Sequence, residues 1–213
     1  MQQLPLFPLN TVLFPGAQLP LHVFEPRYRL MIGRCIEEQK PFGVVLIREG
    51  VEVGGTSIPH LVGTIASIEN AYRLADGRMY IISLGQRRFR INYPLSNDPY
   101  LVAMVSLLDD EHGDPAQAAE VLAIYDEHRR KLMAATGMKA EPLDLPSTPL
   151  ELGYALADRM QVAMPVKQRW LESSVGERLR AIGGALRTEM QLLPPLPPNL
   201  PDREPPFDTT SWN

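Results

Sequence analysis

The sequence predicts an α+β fold in which a β-rich lobe, residues 1–112, is followed by a helical lobe, residues 113–193. Short β-like runs alternate with turn residues as far as Leu108. After Asp109-Asp110-Glu111 the apolar residues recur every three or four positions, which is typical of amphipathic helices. From Pro194 to Pro206 seven of thirteen residues are proline, so residues 194–213 are predicted to be a proline-rich tail with polyproline II character.

Seven β-like runs make up the first lobe and suggest a barrel or a sandwich. They cover residues 4–9, 19–23, 42–48, 61–69, 78–84, 87–91 and 100–108. Asp76-Gly77 precedes the fifth run, and this dipeptide favours the positive φ angles of a tight two-residue hairpin turn. We therefore expect a hairpin at this point.

One helix is predicted inside the β-rich lobe, beginning at Pro26, because proline is favoured in the first turn of a helix. Its buried stripe is predicted to contain Tyr28, Met31, Ile32, Cys35 and Gln39. Glu25 is expected to cap this helix or to complement its positive end, and the single cysteine, Cys35, is assigned to the core without chemistry.

Three helices are predicted in the second lobe. The first covers residues 116–135, and the second covers residues 149–164, with Pro165 just beyond its end. Ser174 is expected to cap the third helix, which runs to about Leu193. The apolar positions of this last helix step by three or four throughout, which indicates a buried face.

Composition and charge narrow the choice of function. The chain has 25 acidic and 21 basic side chains, so its surface does not attract phosphate backbones as a whole, and nucleic acid is a disfavoured partner. The N-terminus lacks a signal-peptide pattern, one cysteine cannot form an intrachain disulfide, and no apolar stretch approaches ~20 residues. We therefore expect a cytoplasmic protein without a membrane span.

Motifs for catalysis are missing from the sequence. None of the four lysines follows a glycine, which excludes a phosphate-binding loop ending in Gly-Lys, and no Gly-x-Ser-x-Gly elbow is present. The four histidines are scattered, and Asp109-Asp110 and Glu37-Glu38 look like solvated charge. We expect no catalytic residue, no metal site and no cofactor. A hydrolase without a recognisable motif is the weakest alternative.

The N-terminal third resembles a known family. LPLFPLNTVLFPGAQLPLHVFEPRYRLMI, residues 4–32, is similar to the opening of the Lon protease substrate-binding domain, and the likeness continues in FGVVLIREG, HLVGTIASIE, DGRMYIISLGQRRFRI and PYLVAMVSLLDD. The resemblance implies a PUA-like β lobe packed against a helical lobe, which captures unfolded or tagged proteins without cutting them. It implies client polypeptides as partners, with a protease or chaperone as a further candidate. We expect a free-standing domain without ATPase and peptidase modules.

Candidate ligand-binding residues follow from this resemblance and from the local pattern. Binding is expected at the groove between the lobes and at any exposed apolar patch on the β lobe. The candidates are Phe24, Arg27, Tyr28, Arg29, Arg88 and Arg90. Burial in the core is the first interpretation of both Phe24 and Tyr28, and of the two Phe24 is preferred as the partly exposed ring. Surface ion pairing is the first interpretation of Arg27 and Arg29.

The arginine-rich run supports the alternative function. Strand alternation predicts that Phe89 and Ile91 point inward and that Arg88 and Arg90 point outward, to a solvated or ion-paired face. With Arg87, these arginines would be the contacts if a PUA-like lobe bound RNA or a nucleotide derivative.

Overall fold

The structure, a computed structural model, describes residues 1–52, 54, 57–137 and 144–195. Its strands are β1 (Gln2–Leu9), β2 (Gln18–Val23), β3 (Phe42–Gly50), β4 (Ser57–Pro59), β5 (Val62–Arg73), β6 (Met79–Ser96) and β7 (Val102–Leu107). Its helices are α1 (Pro26–Glu37), α2 (Pro115–Thr136), α3 (Pro149–Arg159), α4 (Met164–Glu172) and α5 (Val175–Leu192). The predicted α+β class is confirmed. Most of the proline-rich tail, residues 196–213, lies outside the described part of the chain.

Five strands close into a barrel. The antiparallel order β1-β7-β6-β5-β3 is completed by parallel pairing of β1 with β3, in which Leu6 lies opposite Gly43. The interior of the ring is filled by alternating apolar side chains, including Leu4, Leu6, Phe89 and Val105, each at most 2% exposed. The two remaining strands lie outside the closed ring: β4 pairs with β3, and β2 pairs with β6.

Strand β6 is the longest strand and organises the lobe. The sequence suggested two runs, residues 78–84 and 87–91, but β6 continues from Met79 to Ser96. Its first half pairs with β2 and β5, and its second half pairs mainly with β7. The predicted hairpin before it is present. Its connection has three residues rather than two, because the Leu74 amide donates to the Arg78 carbonyl, and only Gly77 has a positive φ, of 83°.

Helix α1 packs on the β lobe through the expected apolar stripe. Met31 and Ile32 are fully buried and Cys35 is 5% exposed. One detail of the prediction is wrong: the helix ends at Glu37, and Gln39 is exposed at φ 52°, outside the stripe. Of the two roles expected for Glu25, the side-chain capping hydrogen bond is absent. Its carboxylate lies 3.0 Å from the Arg27 guanidinium, and complementing the positive end of the helix stays a prediction.

The helical lobe has four helices among the described residues instead of three. The segment predicted as one helix, residues 149–164, ends at Arg159, and a new helix starts at Met164 with Pro165 in its first turn. Proline is favoured there because the first amides of a helix have no intrahelical acceptor. The Ser174 cap is confirmed as a full capping box with Glu177.

The two lobes share one apolar core. Val12, Phe14, Leu46 and Val62 of the β lobe pack with Trp170, Leu179 and Ile182 of the helical lobe. The strands end at Leu107 and the next helix begins at Pro115, but a division into domains at residues 112 and 113 stays a prediction. In the described ranges, no helix has the length and apolar character required to cross a membrane.

Candidate polypeptide-binding surface

The face of β2, β5 and β6 that points away from α1 carries a cluster of exposed aromatic and apolar side chains. Tyr80 of β6 lies opposite His22 of β2 on one side and Tyr72 of β5 on the other. Two residues further along β6, Ile82 lies between Pro20 of β2 and Asn70 of β5. We call this cluster the aromatic patch, and it consists of Pro20, His22, Phe24, Tyr72, Tyr80 and Ile82.

Large fractions of these side chains are accessible to solvent. Tyr72 is 67% exposed, Tyr80 50%, Phe24 44% and Ile82 37%. The His22 ring stacks on Tyr80 at a centroid distance of 4.5 Å and lies 5.6 Å from the Phe24 ring. A contiguous apolar surface of this kind on a folded protein marks an interaction site more often than isolated exposed residues do.

The opposite face of the same strands is packed in the core. Val23, Met79 and Ile81 alternate with the patch residues and are at most 2% exposed, in the core formed with α1. The patch is therefore displayed on a sheet whose other side is packed. Because the backbone under the patch is already ordered, its aromatic side chains should lose less conformational entropy when they bind a ligand.

A concave surface lies between the two lobes. This interlobe cleft has a volume of about 910 Å³ and is bordered by the segment Pro15–Gln18 and by helix α3. Its charged lining residues are Arg87, Asp109, Asp110, Glu151, Asp158 and Arg159. The groove expected between the lobes is thus present, but its lining mixes charged side chains with apolar and polar ones. The exposed aromatic rings lie instead on the aromatic patch.

Arg88 was predicted to lie on a solvated or ion-paired face; the ion pair is present, but the side chain is buried and does not face solvent. It is 5% exposed, donates from Nη1 to the Leu171 carbonyl at 2.6 Å and to the Ser173 carbonyl at 3.0 Å, and pairs with Asp110. Alternation was correct, since Phe89 and Ile91 are buried and Arg90 is exposed. The helical lobe, however, covers the outer barrel face at Arg88.

Asp110 is part of the same buried network and is not the solvated charge expected from the sequence. Its carboxylate accepts from the Tyr154 hydroxyl at 2.9 Å as well as from Arg88. The Arg178 guanidinium lies 4.0 Å from the centre of the Tyr154 ring. Burial raises the pKa of Tyr154 to about 12 and lowers the pKa of Arg178, so the phenol stays a neutral donor at physiological pH.

Phe24 and Tyr28 differ as the sequence suggested. Phe24 is accessible on the aromatic patch, while Tyr28 is 5% exposed and stacks on Phe7 at 4.0 Å. Burial also raises the pKa of Tyr28. The preference for Phe24 as the exposed ring is confirmed, while burial in the core holds for Tyr28 and not for Phe24. A role of either residue in binding stays a prediction.

Arg27 and Arg29, near the start of α1, are engaged with neighbouring residues. Arg27 pairs with Glu25 and lies 4.6 Å from the centre of the Tyr28 ring. The Arg29 guanidinium packs against Gly77 in the β5–β6 hairpin, where an added Cβ would come within 1.8 Å of its Nη2. Ion pairing is therefore present at Arg27. Ligand binding by Arg27, Arg29 and Arg90 stays a prediction.

Most of the aromatic patch was not among the residues selected from the sequence. A signal was available at residues 79–82, Met-Tyr-Ile-Ile, which are apolar on both faces of the strand. A strand with one face in water normally alternates apolar and polar residues. An apolar outer position at Tyr80 and again at Ile82 therefore indicates a surface that something else covers.

Comparison with known proteins gives consistent matches. A sequence model of the ATP-dependent protease La (LON) substrate-binding domain matches residues 3–187. Lon protease 2 of Herpetosiphon aurantiacus is 31% identical over 202 residues, covering 90% of this chain and 24% of that protein. Lon protease of Cytophaga hutchinsonii is 35% identical over 141 residues, covering 65% of this chain and 17% of that protein. The chain thus spans a quarter or less of the length of these relatives.

Two solved structures have the same fold. The crystal structure of a Lon N-terminal domain protein from Xanthomonas campestris aligns with a TM-score of 0.65 and 28% identity, covering 85% of this chain and 97% of that chain. The N-terminal domain of Mycobacterium avium complex Lon protease aligns with a TM-score of 0.64 at 20% identity, covering 87% and 98% respectively, and supports the fold alone. Because the family match extends from residue 3 to residue 187, the chain belongs to the Lon substrate-binding domain family.

Proposed function

We propose that this protein recognises unfolded polypeptide segments and that the aromatic patch is its contact surface. The observation that carries the proposal is the exposure of Phe24, Tyr72, Tyr80 and Ile82 on one face of a sheet whose other face is packed, in a chain of the Lon substrate-binding domain family. Unfolded chains differ from folded ones by their exposed apolar side chains. A surface of aromatic rings can bury such side chains without requiring a particular sequence.

The protein is proposed to act by binding alone. Its 213 residues contain no Gly-Lys phosphate loop and no serine elbow, and we therefore propose that it neither hydrolyses ATP nor cleaves the captured chain. Where the bound segment goes next would then depend on a partner, for which a protease or a chaperone is the candidate. The cytoplasm is the proposed location.

RNA binding is the second candidate function, and the burial of Arg88 weakens it. The basic run supplies only Arg87 and Arg90 to the surface, and Arg87 lies 3.4 Å from the Asp109 carboxylate. Single-strand binders combine aromatic stacking with an electropositive groove. The aromatic patch offers rings, but the adjoining cleft contains four carboxylates.

The proposal is tested by measuring the affinity for a permanently unfolded protein, such as reduced and carboxymethylated lactalbumin. Phe24→Ala and Tyr80→Ala should each weaken binding about fivefold or more, as expected for exposed aromatic contacts. Tyr93→Ala is the matched control, since Tyr93 is also on β6 and also 50% exposed, but lies outside the patch. The melting temperature of every variant is measured alongside.

The outcomes separate the two candidate functions. Binding that survives high salt and depends on Phe24 and Tyr80, but not on Tyr93, supports polypeptide recognition through the aromatic patch. Equal affinity in all three variants would overturn that assignment. Binding that collapses with salt and is competed by single-stranded RNA would favour the second function.

A further inference from the structure

The aromatic patch and the interlobe cleft meet at a shared border. Along β2 from Phe24, the residues on the patch face are His22, Pro20 and then Gln18, which lies opposite Leu84. Gln18 also lines the interlobe cleft. At ~3.3 Å per residue, the six steps from Phe24 to Gln18 cover about 20 Å.

The neighbouring strands reach the same border. Gln86 follows Leu84 at alternate spacing on β6, donates to the Ser67 hydroxyl of β5 at 2.9 Å, and also lines the cleft. The surface therefore changes along one direction, from aromatic rings, through Pro20 and Ile82, to glutamine amides and then to the charged cleft.

The cleft has an excess of negative charge. Its lining contains four carboxylates, on Asp109, Asp110, Glu151 and Asp158, against two guanidinium groups, on Arg87 and Arg159. Asp110 is neutralised by Arg88, and the Glu151 carboxylate accepts from the Thr148 hydroxyl at 2.7 Å. Asp109 lies 3.4 Å from the Arg87 guanidinium, but its side chain is fully exposed. Asp109 and the exposed Asp158 therefore remain accessible to a ligand.

Apolar side chains line the same cleft beside these carboxylates. Ala17, Pro146 and Leu150 form part of its wall. Lysine and arginine have long apolar stems that pack on such a wall while the charged end reaches an acidic group. Segments with acidic side chains, and phosphate backbones, would be repelled by the same carboxylates.

We propose that patch and cleft form one continuous track for an extended polypeptide, with apolar side chains on the aromatic patch and basic side chains in the interlobe cleft. This inference rests on the proposed function and adds a preference to it. The favoured client segment carries an aromatic or aliphatic cluster and, about six to ten residues away, one or more lysines or arginines.

The test uses labelled peptides of about 14 residues and fluorescence anisotropy. Each peptide has a Phe-Leu-Tyr cluster at one end and either three lysines or three glutamines at the other, and both end-to-end orders are made. At low salt the lysine peptide should bind about three- to tenfold more tightly than the glutamine peptide, and the advantage should vanish near 0.5 M salt, roughly a 4 Å screening length.

Matched variants assign the preference to the cleft. Asp109→Asn/Asp158→Asn should remove the lysine advantage and leave the glutamine peptide unchanged. Asp126→Asn/Glu37→Gln, which removes two exposed carboxylates on α2 and α1, should alter neither affinity. Tyr80→Ala should weaken both peptides.

Each failure has a separate meaning. If wild-type protein binds both peptides equally, or the cleft variant keeps the lysine advantage, the track is wrong and recognition by the aromatic patch stands. If neither peptide binds to wild-type protein, recognition through the patch is wrong, and the track is overturned with it.

Discussion

Arg88 and Arg178 share the carbonyl oxygen of Ser173, and together they satisfy the C-terminal end of α4. Arg88 donates to Leu171 and Ser173, and Arg178 donates to Trp170 at 2.8 Å and to Ser173 at 2.9 Å. Carbonyl groups at a helix end have no intrahelical donor and carry a partial negative charge, so two cations are favourable there. Since Arg88 belongs to β6 and Arg178 to α5, this cap also joins the lobes.

Arg88→Ala is predicted to lower the free energy of unfolding by about 3 kcal/mol, because the Asp110 carboxylate and the α4 carbonyls would lose their buried partner. Arg90→Ala should change it by less than about 0.5 kcal/mol, because the side chain is exposed. Urea denaturation measures both. Similar small effects of the two substitutions would show that Arg88 is not a structural residue. If Arg88→Ala also loses affinity for an unfolded protein, this loss indicates a direct contact of Arg88 with the ligand only when the free energy of unfolding is unchanged.

Two glycines, one in a strand and one in a helix, differ in how closely other atoms approach the position where a side chain would begin. A Cβ on Gly63 of β5 would lie 2.3 Å from the Val44 carbonyl oxygen and 2.9 Å from the Phe89 ring, inside the closed barrel. A Cβ on Gly184 of α5 would meet nothing within 4 Å. The same substitution should therefore have opposite effects at the two sites.

Gly63→Ala is predicted to destabilise the protein by more than about 2 kcal/mol, because the barrel backbone has to move. Gly184→Ala should stabilise it by about 0.5–1 kcal/mol, since alanine is the better residue in an exposed helix interior. Thermal and urea unfolding of the two variants against wild type provide the measurement. A tolerated alanine at residue 63 would contradict the close approach of β3 and β5.

The local sequence pattern predicted helices correctly where one face of the helix is buried or where a side chain caps its first turn. The α1 stripe around Met31 and Ile32 and the Ser174 capping box are examples, because both depend on residues close in sequence. The environments of Tyr80 and Arg88 on β6 could not be predicted in this way. A register shift against β5 lies between the two residues, and the helical lobe covers Arg88 while Tyr80 stays exposed. Both features depend on residues far away in sequence.

The shared core determines how the molecule behaves as a whole. Phe14 lies 6.2 Å from the Tyr154 ring, and Gln168 of α4 donates to the Val62 carbonyl at 3.0 Å. Arg88 and Asp110 add charged contacts to the same boundary. Neither lobe can expose this surface without losing apolar burial and leaving polar groups unpaired. We therefore expect the interlobe cleft and the aromatic patch to keep the same relative position and orientation.

The two lobes are therefore predicted to unfold as one cooperative unit, although strands and helices are separated along the chain. Native-state hydrogen exchange followed by mass spectrometry should give the slowest amides of β6 and α5 opening free energies that agree within about 1 kcal/mol. Arg88→Ala, which removes a contact between the lobes, should lower both values by the same amount. If α5 instead opened several kcal/mol more easily than β6, the boundary near residue 112 would separate independent domains. The cleft between them would then be free to widen, and a fixed track across both lobes would lose its basis.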